Sequence, residues 1–308
     1  MLLFRIYSGK QPAVADSWRR FKGPLLIAAN HPNSFLDAIV VSSIFHQPVY
    51  ALARGDVFKK KWIIRILHSL NILPVYRIRE GADKLMDNYE TFDNCIELFK
   101  KNGVVLIFSE GLCVNEWHLR PLKKGTARLA LQAWEQGIPL TVLPLGINYS
   151  NFYRLSKYID VKTGQPITAG SIQQDASFGL RAGQFNQLLK QELEQLVYEI
   201  PVTKPEVHRQ FFPKQFSSFE QALLLLPAAL GVLLHAPVFL PALWFAHRFF
   251  KGSDHYDSVL AGFLFLTYPV YFILVILLLL LIWGFSYWLL FILLLPLTAR
   301  AALNFTRS

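Results

Sequence analysis

Cysteine is scarce: Cys95 and Cys113 are the only two in 308 residues, too few for a disulfide framework and without metal-ligand spacing. Both are read as reduced thiols. His31, His46, His68 and His118 form no HExxH or comparable ligand pattern, so no metal is expected. Residues 1–8 hold a short apolar stretch without a basic n-region or a small-residue cleavage site, which argues against a signal peptide. No internal repeat of convincing period is present, so solenoids and paired transporter halves gain no support. The most informative scarcity is local: residues 259–299 contain no Asp, Glu, Lys, Arg or His.

At about 1.5 Å of rise per helical residue, that run can cross a ~30 Å hydrocarbon layer twice. Residues 222–246 also lack Asp, Glu, Lys and Arg, but Pro227, Pro237, Pro241 and His235 interrupt them, as in a kinked or re-entrant segment. Two or three spans are therefore expected, and an integral membrane protein with them. The hydrophobic share of 53% and mean hydropathy of +0.32 exceed those of an ordinary soluble domain. A formal charge of +10 favours anionic partners, which beside a membrane means phospholipid surfaces and phosphorylated substrates. Nucleic acid is not expected, because no zinc-finger spacing or RNP-like segment accompanies the charge. The cations flanking the apolar runs, Lys214, Arg248, Lys251 and Arg300, show no clear asymmetry from which to read orientation.

Between residues 20 and 200, short runs rich in Val, Ile and Leu alternate with helical periodicity. This is the pattern of an α/β domain, with helices on both faces of a mixed, mainly parallel sheet. Strands are predicted at residues 23–30, 49–53, 72–78, 104–108 and 140–147, with four helices between them. One helix covers residues 83–101, where Leu85, Tyr89, Phe92, Ile96 and Phe99 recur at helical steps and Gly103 supplies the stop. Another covers residues 180–199. Three prolines within residues 201–213 mark a boundary, giving a catalytic domain at 1–200, a linker at 201–221 and a membrane region at 222–308.

In an open α/β sheet the chemistry sits at the carboxyl ends of the strands. His31 follows the first strand, and Asp37 falls in the helix that starts near Ser34. A carboxylate there can hold one imidazole nitrogen and leave the other basic, as a general base requires. Taken alone, a His and an Asp at this separation are more often a loop histidine and a helix cap. Glu110 in Phe108-Ser109-Glu110-Gly111 ends the fourth strand on the same edge and can hold a polyol hydroxyl. Arg77 and Arg79 end the third strand, and Arg120, Lys123 and Lys124 follow the glutamate loop, where they can meet a phosphate.

Together these segments resemble the glycerophospholipid acyltransferase family, which includes lysophosphatidic acid and glycerol-3-phosphate acyltransferases. The likeness covers the first half to two-thirds of the chain. Asn30-His31 with Asp37 resembles the family's first block and implies a catalytic dyad, with Asn30 beside the substrate. Gly55 and Phe58 with Arg77 are similar to the second block, whose arginine contacts the acceptor phosphate. Phe108-Ser109-Glu110-Gly111 resembles the third, implying acceptor binding by Glu110 and Gly111. Leu143-Pro144-Leu145-Gly146 resembles the fourth, which associates Pro144, like Gly55 and Phe58, with the acyl chain. Two features depart from the family. Five residues rather than the commoner four separate His31 from Asp37, and Ser109 and Leu112-Cys113 replace a usual proline and a small hydroxyl residue with arginine. The second departure moves the expected phosphate contact to Arg120 or Lys123 and admits an acceptor other than lysophosphatidate.

The resemblance implies that His31 takes the acceptor's hydroxyl proton as that oxygen attacks the thioester of acyl-CoA or acyl carrier protein. Asp37 fixes the ring, backbone N–H groups near the helix start receive the oxyanion, and no cofactor is needed. The expected acceptor is 1-acylglycerol-3-phosphate, with glycerol-3-phosphate or another lipid precursor as the alternative. The expected place is the inner membrane, with the catalytic domain facing the cytoplasm where acyl thioesters are found. A serine lipase is disfavoured because Ile107 stands where the nucleophile elbow of Ser109 needs a glycine. A membrane-anchored protein that only binds lipid headgroups is the rival of a different class.

Overall fold

The computed structural model describes residues 14–54, 61–75, 82–201, 203, 205–212, 217–283 and 288–306. In chain order its elements begin α1 (Asp16–Arg19), β1 (Leu25–Ala29), α2 (Ser34–Ile44), β2 (Val49–Arg54), α3 (Lys61–Ser69), β3 (Ile72–Val75) and α4 (Ala82–Lys100). They continue with β4 (Val104–Phe108), α5 (Gly125–Glu135), β5 (Thr141–Tyr149), β6 (Ile159–Thr163) and α6 (Phe178–Leu196). The last are α7 (Pro205–Phe211), α8 (Ser218–Phe250), α9 (Tyr256–Trp283) and α10 (Trp288–Thr306).

The described strands form one sheet in the order β3-β2-β4-β1-β5-β6. All pairs are parallel except β5 with β6. β6 is a strand that the sequence reading lacked, because it is short and only one of its faces is apolar: Ile159 and Val161 are buried while Asp160 and Lys162 are not. The central strand β1 is buried along its whole length, and its alternate side chains feed two cores. Leu25, Ile27 and Ala29 pack with Leu36, Val40, Val41 and Ile44 of α2. Leu26 and Ala28 belong to the core that Ile96 and Phe99 of α4, Leu129 of α5 and Phe185 of α6 complete on the opposite face.

Proline in a central strand would ordinarily cost a ladder bond. Pro144 avoids this because its carbonyl faces Gly164, whose N–H it accepts at 3.0 Å. Its missing N–H lies on that same side, so the pairing of β5 with β1 keeps its register of Ala28 against Pro144. Two positions on, Gly146 runs so close to the end of α6 that a Cβ would sit 2.6 Å from that of Leu196. At the end of α4 the left-handed residue is Asn102 (φ 59°) rather than the expected Gly103, whose N–H returns to Leu98 O at 2.8 Å.

Residues 201–221, expected as a linker, contain α7. His208 Nε2 there lies 2.6 Å from Ser150 O, and Phe211 stacks on Tyr198 at 4.2 Å between ring centroids. Beyond it, residues 219–250 and 256–282 are long and apolar enough to cross a membrane, with mean hydropathies of 2.2 and 2.7. Only 17% and 6% of their most apolar windows are buried inside the protein, so these are outward-facing apolar surfaces rather than core helices. α8 is helical through Pro227, Pro237 and Pro241, where the sequence pointed to a kinked or re-entrant segment. α10 packs against it, with Gly231 beside the carbonyl of Thr298.

Candidate active site

β1 and β4 are parallel neighbours with Ala29 opposite Phe108, and Ser109 N–H extends the ladder to Ala29 O at 2.8 Å. The residues just past both strand ends therefore emerge side by side. One is His31 and the other is Glu110. The His31 ring stacks on Phe108, 3.9 Å between centroids and 9° between planes, and its Nδ1 lies 2.8 Å from Asp37 Oδ2. With Nδ1 donating to that carboxylate, Nε2 is left as a base.

Asp37 sits in the first turn of α2 with its side chain fully buried. Besides His31 it accepts Asn33 N–H on Oδ2 at 2.8 Å and the Tyr149 hydroxyl on Oδ1 at 2.7 Å. Three donors thus hold a carboxylate that burial alone would penalise. The longer spacing between His31 and Asp37 is taken up by a bend at Ser34, which has φ 48°. Tyr149 was not among the sequence candidates. It lies past the expected end of the strand at 140–147, on the part of β5 that runs on to Tyr149.

Tyr149→Phe should separate these effects. One buried oxygen of Asp37 loses its donor, costing about 1–3 kcal/mol, while the contact to His31 survives. We expect a lower unfolding midpoint with turnover reduced only about tenfold or less, checked by denaturant titration beside steady-state kinetics.

Glu110 is buried, and its two oxygens accept His31 N–H at 2.8 Å and Arg120 N–H at 2.9 Å. Burial raises its carboxyl above the usual range, and the two backbone donors pull it partly back. In this geometry Glu110 ties the His31 loop to the Arg120 loop. Glu110→Gln would turn an amide N–H against one of those donors. The expected result is a turnover loss of about tenfold with a stability loss of about 1–3 kcal/mol, measured by the same two assays.

Asn30 is likewise spent on backbone: its amide donates to Ile147 O at 3.0 Å and accepts Ile147 N–H at 2.8 Å, tying the end of β1 to β5. Gly111 follows Glu110 at φ 64° with Lys123 Cγ beside it. Arg120 pairs with Glu116 at 2.7 Å, and Lys123 is exposed. Pro144 is buried within β5, opposite Ala28 of β1. Gly55, Phe58, Arg77 and Arg79 lie outside the described residues.

The N–H groups expected for an oxyanion are partly engaged: Asn33 by Asp37, Ser34 by Cys113 Sγ at 2.9 Å, and Leu36 by Ser258 Oγ at 3.0 Å. Burial, reinforced by the Asp37 charge, pushes the Cys113 thiol far up. It is therefore a hydrogen-bonding thiol and not a thiolate nucleophile.

Residues 7–148 match the family model described as Acyltransferase. Among solved structures, the chain is similar to the crystal structure of the 1-acyl-sn-glycerophosphate (LPA) acyltransferase PlsC from Thermotoga maritima. That similarity spans 59% of this chain and 70% of the other, at 15% identity and a TM-score of 0.40. No curated protein matches. The matched stretch contains His31, Asp37 and Glu110 and ends before the apolar helices, so it is the α/β part of the chain, through residues 7–148, that is similar to the acyltransferase family.

Proposed function

We propose that the protein transfers a fatty acyl group from acyl-CoA or acyl carrier protein to a hydroxyl of a lysophospholipid, with 1-acylglycerol-3-phosphate as the first acceptor to test. The reading is carried by one observation: an imidazole whose Nδ1 is held by a buried carboxylate at 2.8 Å, at the sheet edge. His31 Nε2 takes the acceptor's proton as its oxygen bonds to the thioester carbon. The tetrahedral adduct then breaks its C–S bond, and the imidazolium returns the proton to the departing thiolate. Electrons and protons balance without a cofactor or an acyl-enzyme.

Arg77, Arg120 and Lys123 are the proposed contacts for the acceptor phosphate, and Gly55, Phe58 and Pro144 the proposed acyl-chain region. α8 and α9 associate the protein with a membrane, and the proposed site faces the cytoplasm, where acyl thioesters are made. Glycerol-3-phosphate is the alternative acceptor. The deciding assay offers labelled acyl-CoA and acyl carrier protein to the purified protein with a panel of lysophospholipids and glycerol-3-phosphate. Transfer to lysophosphatidate that His31→Ala abolishes is the expected result. No transfer to any acceptor, or equal transfer by the variant, overturns the reading.

A further inference from the structure

Among the described residues, the head of α9 meets the loop between His31 and Asp37 through directional polar contacts. Asn33 is the joint. Its backbone N–H goes to Asp37, its side-chain amide donates to Asp257 Oδ2 at 2.6 Å, and its carbonyl accepts the Ser258 hydroxyl at 2.9 Å. The same Ser258 oxygen accepts Leu36 N–H, so a single hydroxyl bridges both sides of the bend into α2. Asp257 is also paired with Lys157 from the segment between β5 and β6, both side chains being fully buried. The turn before α9 adds two more ties, Ser34 Oγ with His255 Nδ1 at 2.8 Å and Asn115 N–H to Asp254 Oδ1 at 2.9 Å.

Apolar packing alone would attach these helices to the domain without setting the loop's position. Directional bonds to buried groups do set it, because a shift of α9 would strand a buried donor or acceptor. We infer that Asp257 and Ser258 are positioning residues for the His31–Asp37 pair, so that the head of α9 completes the catalytic centre as well as reaching toward the membrane. This rests on the proposed role of His31 and adds a dependence that the family-matched stretch does not contain.

The test uses the full-length protein in detergent micelles, where attachment to a bilayer is not required. Ser258→Ala should lower kcat about tenfold, and Asp257→Asn about a hundredfold. KM for donor and acceptor should stay within about twofold, because the loop positions the base rather than binding either substrate. Ser258→Thr restores the hydroxyl and should recover most of the turnover. Wild-type kcat in Ser258→Ala, equal losses in the Ala and Thr variants, or a loss seen in phospholipid vesicles but absent in micelles would each overturn the inference. Inactive wild-type protein or an unaffected His31→Ala variant would instead remove the proposed function. An active wild type with a dead His31→Ala and a normal Ser258→Ala removes only the role of α9.

Discussion

His31→Ala should lose acyl transfer by on the order of 10²–10⁴-fold, the range over which a positioned general base contributes, while remaining folded. The fold should survive because the His31 side chain is partly exposed and Asp37, its buried partner, keeps two donors, Asn33 N–H and the Tyr149 hydroxyl. The stack on Phe108 is lost, which is a packing change at a sheet edge rather than in either core. Acceptor and donor binding should change little, so the loss belongs in kcat. A variant that turns over like wild type would leave a lipid-headgroup binding protein as the better description. A variant that fails to fold is recognised by its unfolding curve, and His31→Gln, which retains a hydrogen-bonding side chain, then carries the comparison.

Asp37→Asn should cost on the order of 10²–10³-fold in kcat, less than removal of His31. Asn33 N–H shares Oδ2 with His31 Nδ1, so an amide at this position must present its oxygen there and turn its nitrogen toward the Tyr149 hydroxyl. That hydroxyl can rotate to accept. The imidazole therefore keeps its tautomer and loses only the negative charge opposite the imidazolium. At an effective dielectric of about 20, opposite charges roughly 4 Å apart attract by about 4 kcal/mol, and each ~1.4 kcal/mol is a factor of ten in rate. Asp37→Ala removes orientation as well as charge and should fall as far as His31→Ala. Equal activities of Asp37→Asn and wild type would take the carboxylate out of the mechanism. Equal losses in Asp37→Asn and Asp37→Ala would mean that charge, not orientation, is the larger contribution.

The strand ends that bear His31 and Glu110 were legible because a buried parallel strand writes itself as an unbroken apolar run, and the site edge follows from its direction. The helix at Ala82–Lys100 was legible from its period within one residue at each end. Hydrogen-bond partners were less legible than places. Asn30 and Glu110, expected beside the substrate, spend their buried polar atoms on the backbone of Ile147, His31 and Arg120. A side chain's residue type and strand-end position do not say whether a backbone donor will reach it first.

By itself the sequence determined the α/β alternation, the sheet edge where His31 and Glu110 emerge, and two apolar stretches at 222–246 and 259–299, since all three depend on periodicity and length within a local window. Only the tertiary structure decided what converges on the loop between His31 and Asp37. Tyr149 reaches Asp37 across 112 residues, and Asp257 reaches Asn33 across 224. Such contacts leave no periodic trace, because burial makes a polar group costly unless packing delivers a partner, and the partner comes from whichever element the fold brings near.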